Sequence, residues 1–234
     1  MNREASNRIR FLIEDVLPPV VRDSRLFGMI AAAVFGDYIW RAAEFRKKAP
    51  FLTAAEYEAL YRQTPWVHDS TDNSRACLDQ IVRDVIGTSV CDVGCGTGYL
   101  LEHLQANLAG SPSLTGCDFI APKKDRPGIT FVETKIETLP FPDGAFDTVI
   151  CTHVLEHILD LQKALSELRR IAARRLIIVV PREREGRYTF NPHFHFFPYA
   201  ESFLRALIHV PARHQCRLIG RDIYYLEERD GAAA

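Results

Sequence analysis

The apolar positions of the chain follow two rhythms. Up to about Gly87 they recur at helical intervals in separate pieces, without a repeated strand pattern. The clearest piece is "PFLTAAEYEALYRQTP": Thr53 and Glu56 have capping-box spacing, Ala, Leu and Glu favour helix, and Pro65 follows its end. The most apolar early stretch, Leu26 to Gly36, is too short to span a bilayer. It reads either as a helix packed on the main body or as one resting on a membrane surface. Beyond Gly87, short β-rich runs alternate with turns and helices, the pattern of βαβ units around a parallel sheet. Strands are expected at "SVCDV", "SLTGCD", "ITFVE", "FDTVICT" and "RRLIIVV", with "CRLIGRD" and "IYYLEER" as a terminal pair. Helices are expected over Tyr99 to Ala109, Leu155 to Ala173 and Tyr199 to His209, and "FIAPKKDRPG" reads as a loop. The expected organisation is a helical N-terminal cap over residues 1–87, rich in aromatics, followed by one sheet-based α/β domain over 88–234.

In "VCDVGCGTGYL" a strand ends in a turn built on Gly94, Cys95, Gly96 and Gly98 and leads into a helix. Such a turn presents free backbone N–H groups and the positive end of a helix dipole to a ligand above it. The dinucleotide fingerprint wants glycines at offsets of zero, two and five, but the third place here holds Tyr99. Asp92 also precedes the first glycine by two residues, and a pyrophosphate sits poorly beside a carboxylate. A ligand carrying positive charge fits better, which disfavours a nicotinamide-dependent reductase.

This turn resembles the first motif of the class I S-adenosylmethionine-dependent methyltransferases, and the resemblance continues in order. "LTGCDFI" ends a second strand with Asp118, about twenty residues beyond Gly98, where a carboxylate can accept hydrogen bonds from two ribose hydroxyls. "KIETLPFPDGAFDTVICTHVLEHILD" is similar to the family's next block, from the loop after the third strand through the fourth strand into a helix. The resemblance implies S-adenosylmethionine as cofactor, Phe119 stacking beside adenine and Ile136 packing on it. It also implies that the segment from Lys135 to Glu137 meets the adenine edge, and that Thr152 and His153 face the methionine end. Lys135 stands where the family often has an acid for the adenine amino group, and a lysine cannot accept a hydrogen bond. Backbone atoms or Glu137 would take over. The implied fold is a Rossmann-like doubly wound sheet, mostly parallel with an antiparallel terminal strand. Similarity to the quinone-biosynthesis-like, small-molecule group is at the level of fold.

An alcohol acceptor profits from a general base, and histidine titrates near neutrality. His153, one residue past the expected strand end, lies at the carboxyl edge of the sheet and is the first choice. His193 and His195 have strand spacing, with Phe194 and Phe196 on the opposite face, and form either a lip over the substrate or part of a metal site. No third ligand is nearby, so no metal is expected. His157 reads as structural, and His68 beside Asp69 either closes over the cofactor or lies in a solvated loop. The charge run Pro181 to Arg187 alternates in sign and reads as a solvated loop, the alternative being that Arg182, Arg184 or Arg187 binds a phosphate or carboxylate of an anionic substrate.

Composition narrows the partners. The chain of 234 residues has 29 basic against 30 acidic residues, a net charge of -1, and no long basic run, which argues against nucleic acid. Its six cysteines mostly fall in apolar runs, as buried thiols of a reducing cytoplasm do, and the N-terminus lacks a secretory signal. The expectation is methylation of a small molecule, most readily O-methylation of a hydroxyl on a natural-product or sugar-related substrate. Peripheral membrane contact and the oligomeric state stay open. The alternatives are an N- or C-methyltransferase and a regulatory protein that binds the cofactor without transferring methyl.

Overall fold

The computed structural model describes residues 13, 16–36, 38–63, 71–120, 125–188 and 193–229. His68 and Asp69 lie outside the described residues. The chain groups into two compact units, residues 1–63 with 183–198, and residues 64–182 with 199–234. The expected boundary lay at residue 87.

The first unit contains helices α1 (Pro19–Arg22), α2 (Arg25–Phe35), α3 (Tyr38–Lys48) and α4 (Ala54–Gln63). Ser24 caps α2 by accepting from the Phe27 N–H at 3.1 Å. The expected capping box starts α4: Thr53 N–H donates to Glu56 Oε2 at 2.8 Å, and Glu56 N–H donates to Thr53 Oγ1 at 3.3 Å. Its small core joins Ala31, Ile39 and the Tyr188 ring, with Gly28 so close to that ring that no side chain would fit at 28.

The second unit is a seven-stranded sheet: β1 (Ser89–Val93), β2 (Ser113–Asp118), β3 (Ile129–Glu133), β4 (Phe146–Thr152), β5 (Ala172–Pro181), β6 (His214–Ile219) and β7 (Asp222–Glu228). Their order is β3-β2-β1-β4-β5-β7-β6, and only β7 runs against the rest. The order reverses between β1 and β4, and in open α/β sheets ligands bind beyond the carboxyl ends of the strands at such a switch point. Helices α5 (Arg75–Asp84), α6 (Tyr99–Asn107), α7 (Leu161–Ile171) and α8 (Ala200–Ala206) belong to this unit. Cys77, Leu78 and Ile81 are buried on one side of α5 and join Val90, Ile150, Ile177 and Val179 in the main core. The run from Leu176 to Val180 is wholly buried, as a parallel strand covered on both faces must be.

Three expected elements are divided differently. The stretch expected as a helix from 155 to 173 is a short 3-10 turn at Leu155–His157, a break, and then α7, because the Asp160 side chain accepts from the Lys163 N–H at 3.0 Å and starts a new helix. The helix expected to reach His209 stops at Ala206, shortly before Ile208 turns left-handed with φ +59°. The terminal pair turns at Gly220 and Arg221, earlier than expected, because Gly220 takes φ +63° in a two-residue hairpin.

Candidate active site

The pairing of β1 with β2 and β4 sets Val93 beside Cys117 and Asp92 beside Ile150, so their carboxyl ends share one edge. Gly94, Gly96 and Gly98 all have positive φ, and a Cβ on Gly94 would collide with Val154. The N–H groups of Gly94 and Cys95 donate to the Cys117 carbonyl at 2.7 and 3.1 Å, that of Gly96 to Asp118 Oδ2 at 2.9 Å, and that of Gly98 to the Cys95 carbonyl at 2.8 Å. The turn therefore spends on its own shape several N–H groups that the glycine spacing suggested were free for a ligand. Ile120 N–H holds the other Asp118 oxygen at 3.0 Å, which fixes the carboxylate above β2. Burial raises the Asp118 carboxyl above the ordinary range, and the N–H groups of Ile120, Gly96 and Phe119 oppose that shift.

Asp92 is 2% exposed, and its Oδ1 is buried without a hydrogen-bond partner. Burial, and then the charge of Asp118, push its carboxyl up to about 8. A buried acid left wanting a partner at the switch point is suited to a cationic ligand. Cys95, by contrast, is a buried core thiol whose ionisation burial strongly opposes.

Phe119 is half-buried directly after Asp118. A 3-10 turn over Ile136–Thr138 follows β3, with Ile136 buried, Glu137 half-buried and Lys135 exposed. That turn is clamped from α7: Leu139 N–H donates to Glu167 Oε2 at 2.9 Å, and Arg170 donates to the Leu139 carbonyl at 2.9 Å.

At the end of β4, Thr152 Oγ1 accepts from Asn73 Nδ2 at 3.0 Å. Asn73 is buried just ahead of α5, and the sequence alone did not single it out because Thr152 is distant in the chain. His153 follows with φ +55°, its N–H bonded to the Val179 carbonyl at 2.9 Å. Its Nδ1 lies 3.7 Å from Glu156 and its Nε2 3.8 Å from Asp222. Burial works against a charge on this ring, but the nearby Glu156 carboxylate and the charges of Asp222 and Asp72 outweigh it and raise its affinity for the proton. His157 is half-buried, its N–H donating to the Val154 carbonyl at 2.9 Å.

His193 and His195 belong to the first unit. Residues 193–196 are not a strand, so the expected alternation of faces is not observed. His193 is buried with Nδ1 2.6 Å from Glu183, whereas His195 is half-buried with its ring stacked against Phe197 at 6.4 Å between centroids. The charge run from Pro181 is correspondingly less solvated than expected: Glu183 and Gly186 are buried, and the Glu185 carbonyl accepts from Arg22 at 2.6 Å.

Comparison with known proteins agrees with this geometry. Residues 91–179 match the family described as "Methyltransferase domain". The demethylmenaquinone methyltransferase of Thermus thermophilus is 36% identical over 93 residues, which are 36% of this chain and 42% of that protein. The ajmaline N-methyltransferase of Rauvolfia serpentina is 28% identical over 101 residues, 39% of this chain and 35% of the relative. The match thus spans less than half the length of either relative. Among solved structures, the PH0226 protein of Pyrococcus horikoshii has the same fold, with TM-score 0.52, 17% identity, and coverage of 73% of this chain and 98% of that one. Glycine turn, following acid, strand order and family match point the same way: residues 91–179 of this chain are similar to a methyltransferase domain.

Proposed function

We propose that the protein binds S-adenosylmethionine and methylates a small molecule, at a hydroxyl. The observation that carries the reading is Asp92, a buried carboxyl with an unpartnered oxygen behind a glycine turn. The donor set fits the cofactor: Asp92 would face its cationic amino-acid end, Asp118 would accept from the ribose hydroxyls, and Phe119 and Ile136 would flank adenine. When bound, S-adenosylmethionine supplies a methyl group made electrophilic by the sulfonium. The turn held by Cys117 fixes the floor of that site, and the clamp on Leu139 fixes the segment from Lys135 to Glu137 beside it.

His153 is the proposed proton acceptor for a hydroxyl, supported by its place at the end of β4. Its carboxylate neighbours raise the affinity of the ring for the proton it would accept. Buried free cysteines support a reducing cytoplasm as the compartment. The family match ends at residue 179, and the two relatives named above are called after a quinone and an amine acceptor. Residues outside 91–179 are therefore proposed to select the acceptor, and transfer to nitrogen or carbon is the second reading.

Calorimetry with S-adenosylmethionine and its demethylated product tests the cofactor. Binding of both, weakened by about tenfold or more in Asp118→Ala, is expected for a carboxylate that accepts ribose hydroxyls. Binding of a dinucleotide in their place overturns the reading. Methyl transfer to a panel of alcohols, amines and activated carbons then separates the acceptor classes, and transfer to none of them favours a regulatory protein.

A further inference from the structure

Helix α2 has reversed polarity. In α7 the exposed positions Gln162, Lys163 and Ser166 are polar and the buried ones, Glu167 apart, are apolar, as in most surface helices. In α2 the buried positions are the small Gly28 and Ala31, whereas Leu26, Met29, Ile30 and Val34 keep 63%, 57%, 55% and 68% of their surface exposed. Their spacing puts them on one face, and Val20 of the preceding helix α1 is 81% exposed. Single exposed leucines are ordinary, but a continuous aliphatic helix face is not. Among the described residues from Val16 to Gly36, Arg25 is the only exposed charge, since Arg22 is buried. The acid of that stretch, Asp23, is half-buried, lies 3.5 Å from Arg22 and accepts from the Arg187 N–H at 2.7 Å. Further along the same unit Trp40 and Phe51 are exposed, as are Lys47 and Lys48, the latter paired with Glu44 at 3.4 Å.

We propose that this face docks on the surface of an anionic lipid bilayer. The helix of 11 residues is about 16 Å long, roughly half the hydrocarbon thickness, so it would lie in the interface and not cross it. An exposed aliphatic helix face, with exposed Trp, Phe and basic residues elsewhere in the same unit, has the composition of an interfacial surface. The charge pattern selects lipid over self-association: a second copy would bring the same Arg25 and no exposed acid from this stretch to receive it, whereas an anionic headgroup layer complements it. The proposal stands independently of the methyl-transfer reading.

Flotation of the full chain with vesicles of phosphatidylcholine, with and without phosphatidylglycerol, tests it at low and high salt. The expected result is binding at least tenfold tighter to the anionic vesicles, weakened by salt. The double variant Leu26→Glu with Ile30→Glu should lose it, with an unchanged circular dichroism spectrum because both side chains are exposed. Arg25→Gln, which leaves the aliphatic face intact, should weaken it about fivefold. A wild-type chain that stays unbound with both vesicle types overturns the proposal. So does a dimer, seen by sedimentation in the absence of lipid, that the double variant dissociates.

Discussion

Asp92 is costly to the folded protein in the absence of a ligand. An aspartate in the unfolded chain titrates near 4, while burial and Asp118 push this one up to about 8, so the folded state holds an extra proton between those values. The stability contributed by the protonated form is complete below about pH 4 and is lost as pH rises through 8, by about 1.4 kcal/mol per unit of pH in that window. Thermal unfolding of the unliganded protein should therefore fall steeply from pH 5 to 8, and Asp92→Asn, which cannot ionise, should flatten the curve and melt higher than wild type at pH 8. Parallel curves would show that the carboxyl does not titrate there. His153 has the opposite charge logic: its carboxylate neighbours favour the charged ring. Asp222→Asn removes one of them, so the His153 ring proton followed by NMR should titrate at lower pH than in wild type. At this scale the sequence was most informative where chemistry is local. Asp92 and the glycines lie within seven positions of one another, and their spacing alone pointed to a cationic ligand. Asn73 escaped notice because its partner Thr152 is 79 positions away, and Glu183 because it sits in a run of alternating charges whose pairing with His193 only folding creates.

The parallel strands β1 to β4 were legible to the residue, from short β-rich runs bounded by turns, whereas the terminal pair was displaced by up to three residues. Helix boundaries were less so, since apolar spacing carried through the break before α7 and the capping bond of Asp160 outweighed it. The tie between α7 and β7 was hidden altogether. Arg169 donates through Nε and Nη2 to Glu227 at 2.9 to 3.3 Å, and Glu227, wholly buried, also accepts from the Tyr225 hydroxyl at 2.8 Å. Removing one member of a buried ion pair leaves the other charge uncompensated, which typically costs 3–5 kcal/mol. Since Arg169 is partly exposed and Arg229 also approaches Glu227, at 3.6 Å, Arg169→Ala should cost about 2–3 kcal/mol in urea unfolding, with the slope unchanged. A loss below about 0.5 kcal/mol would mean that Arg229 alone suffices.

For the whole molecule, an apolar rhythm changing from helical to strand-like near residue 87 marked where the sheet begins, but compactness follows contacts and not rhythm. Helix α5 lies before the change yet shares its apolar side with the sheet core, and residues 183–198, between two sheet elements in the chain, group with the N-terminal helices. The sheet order has a consequence for synthesis. β7 is made after β6 but lies between it and β5, so the edge of β5 that pairs Ile177 with Leu226 and Val179 with Tyr224 keeps its backbone groups unpaired until residue 228 has left the ribosome. A nascent chain therefore carries an open apolar strand for as long as the last fifty or so residues take to appear, a few seconds at ordinary translation rates. During that interval the open edge of β5 is a template for pairing with another strand.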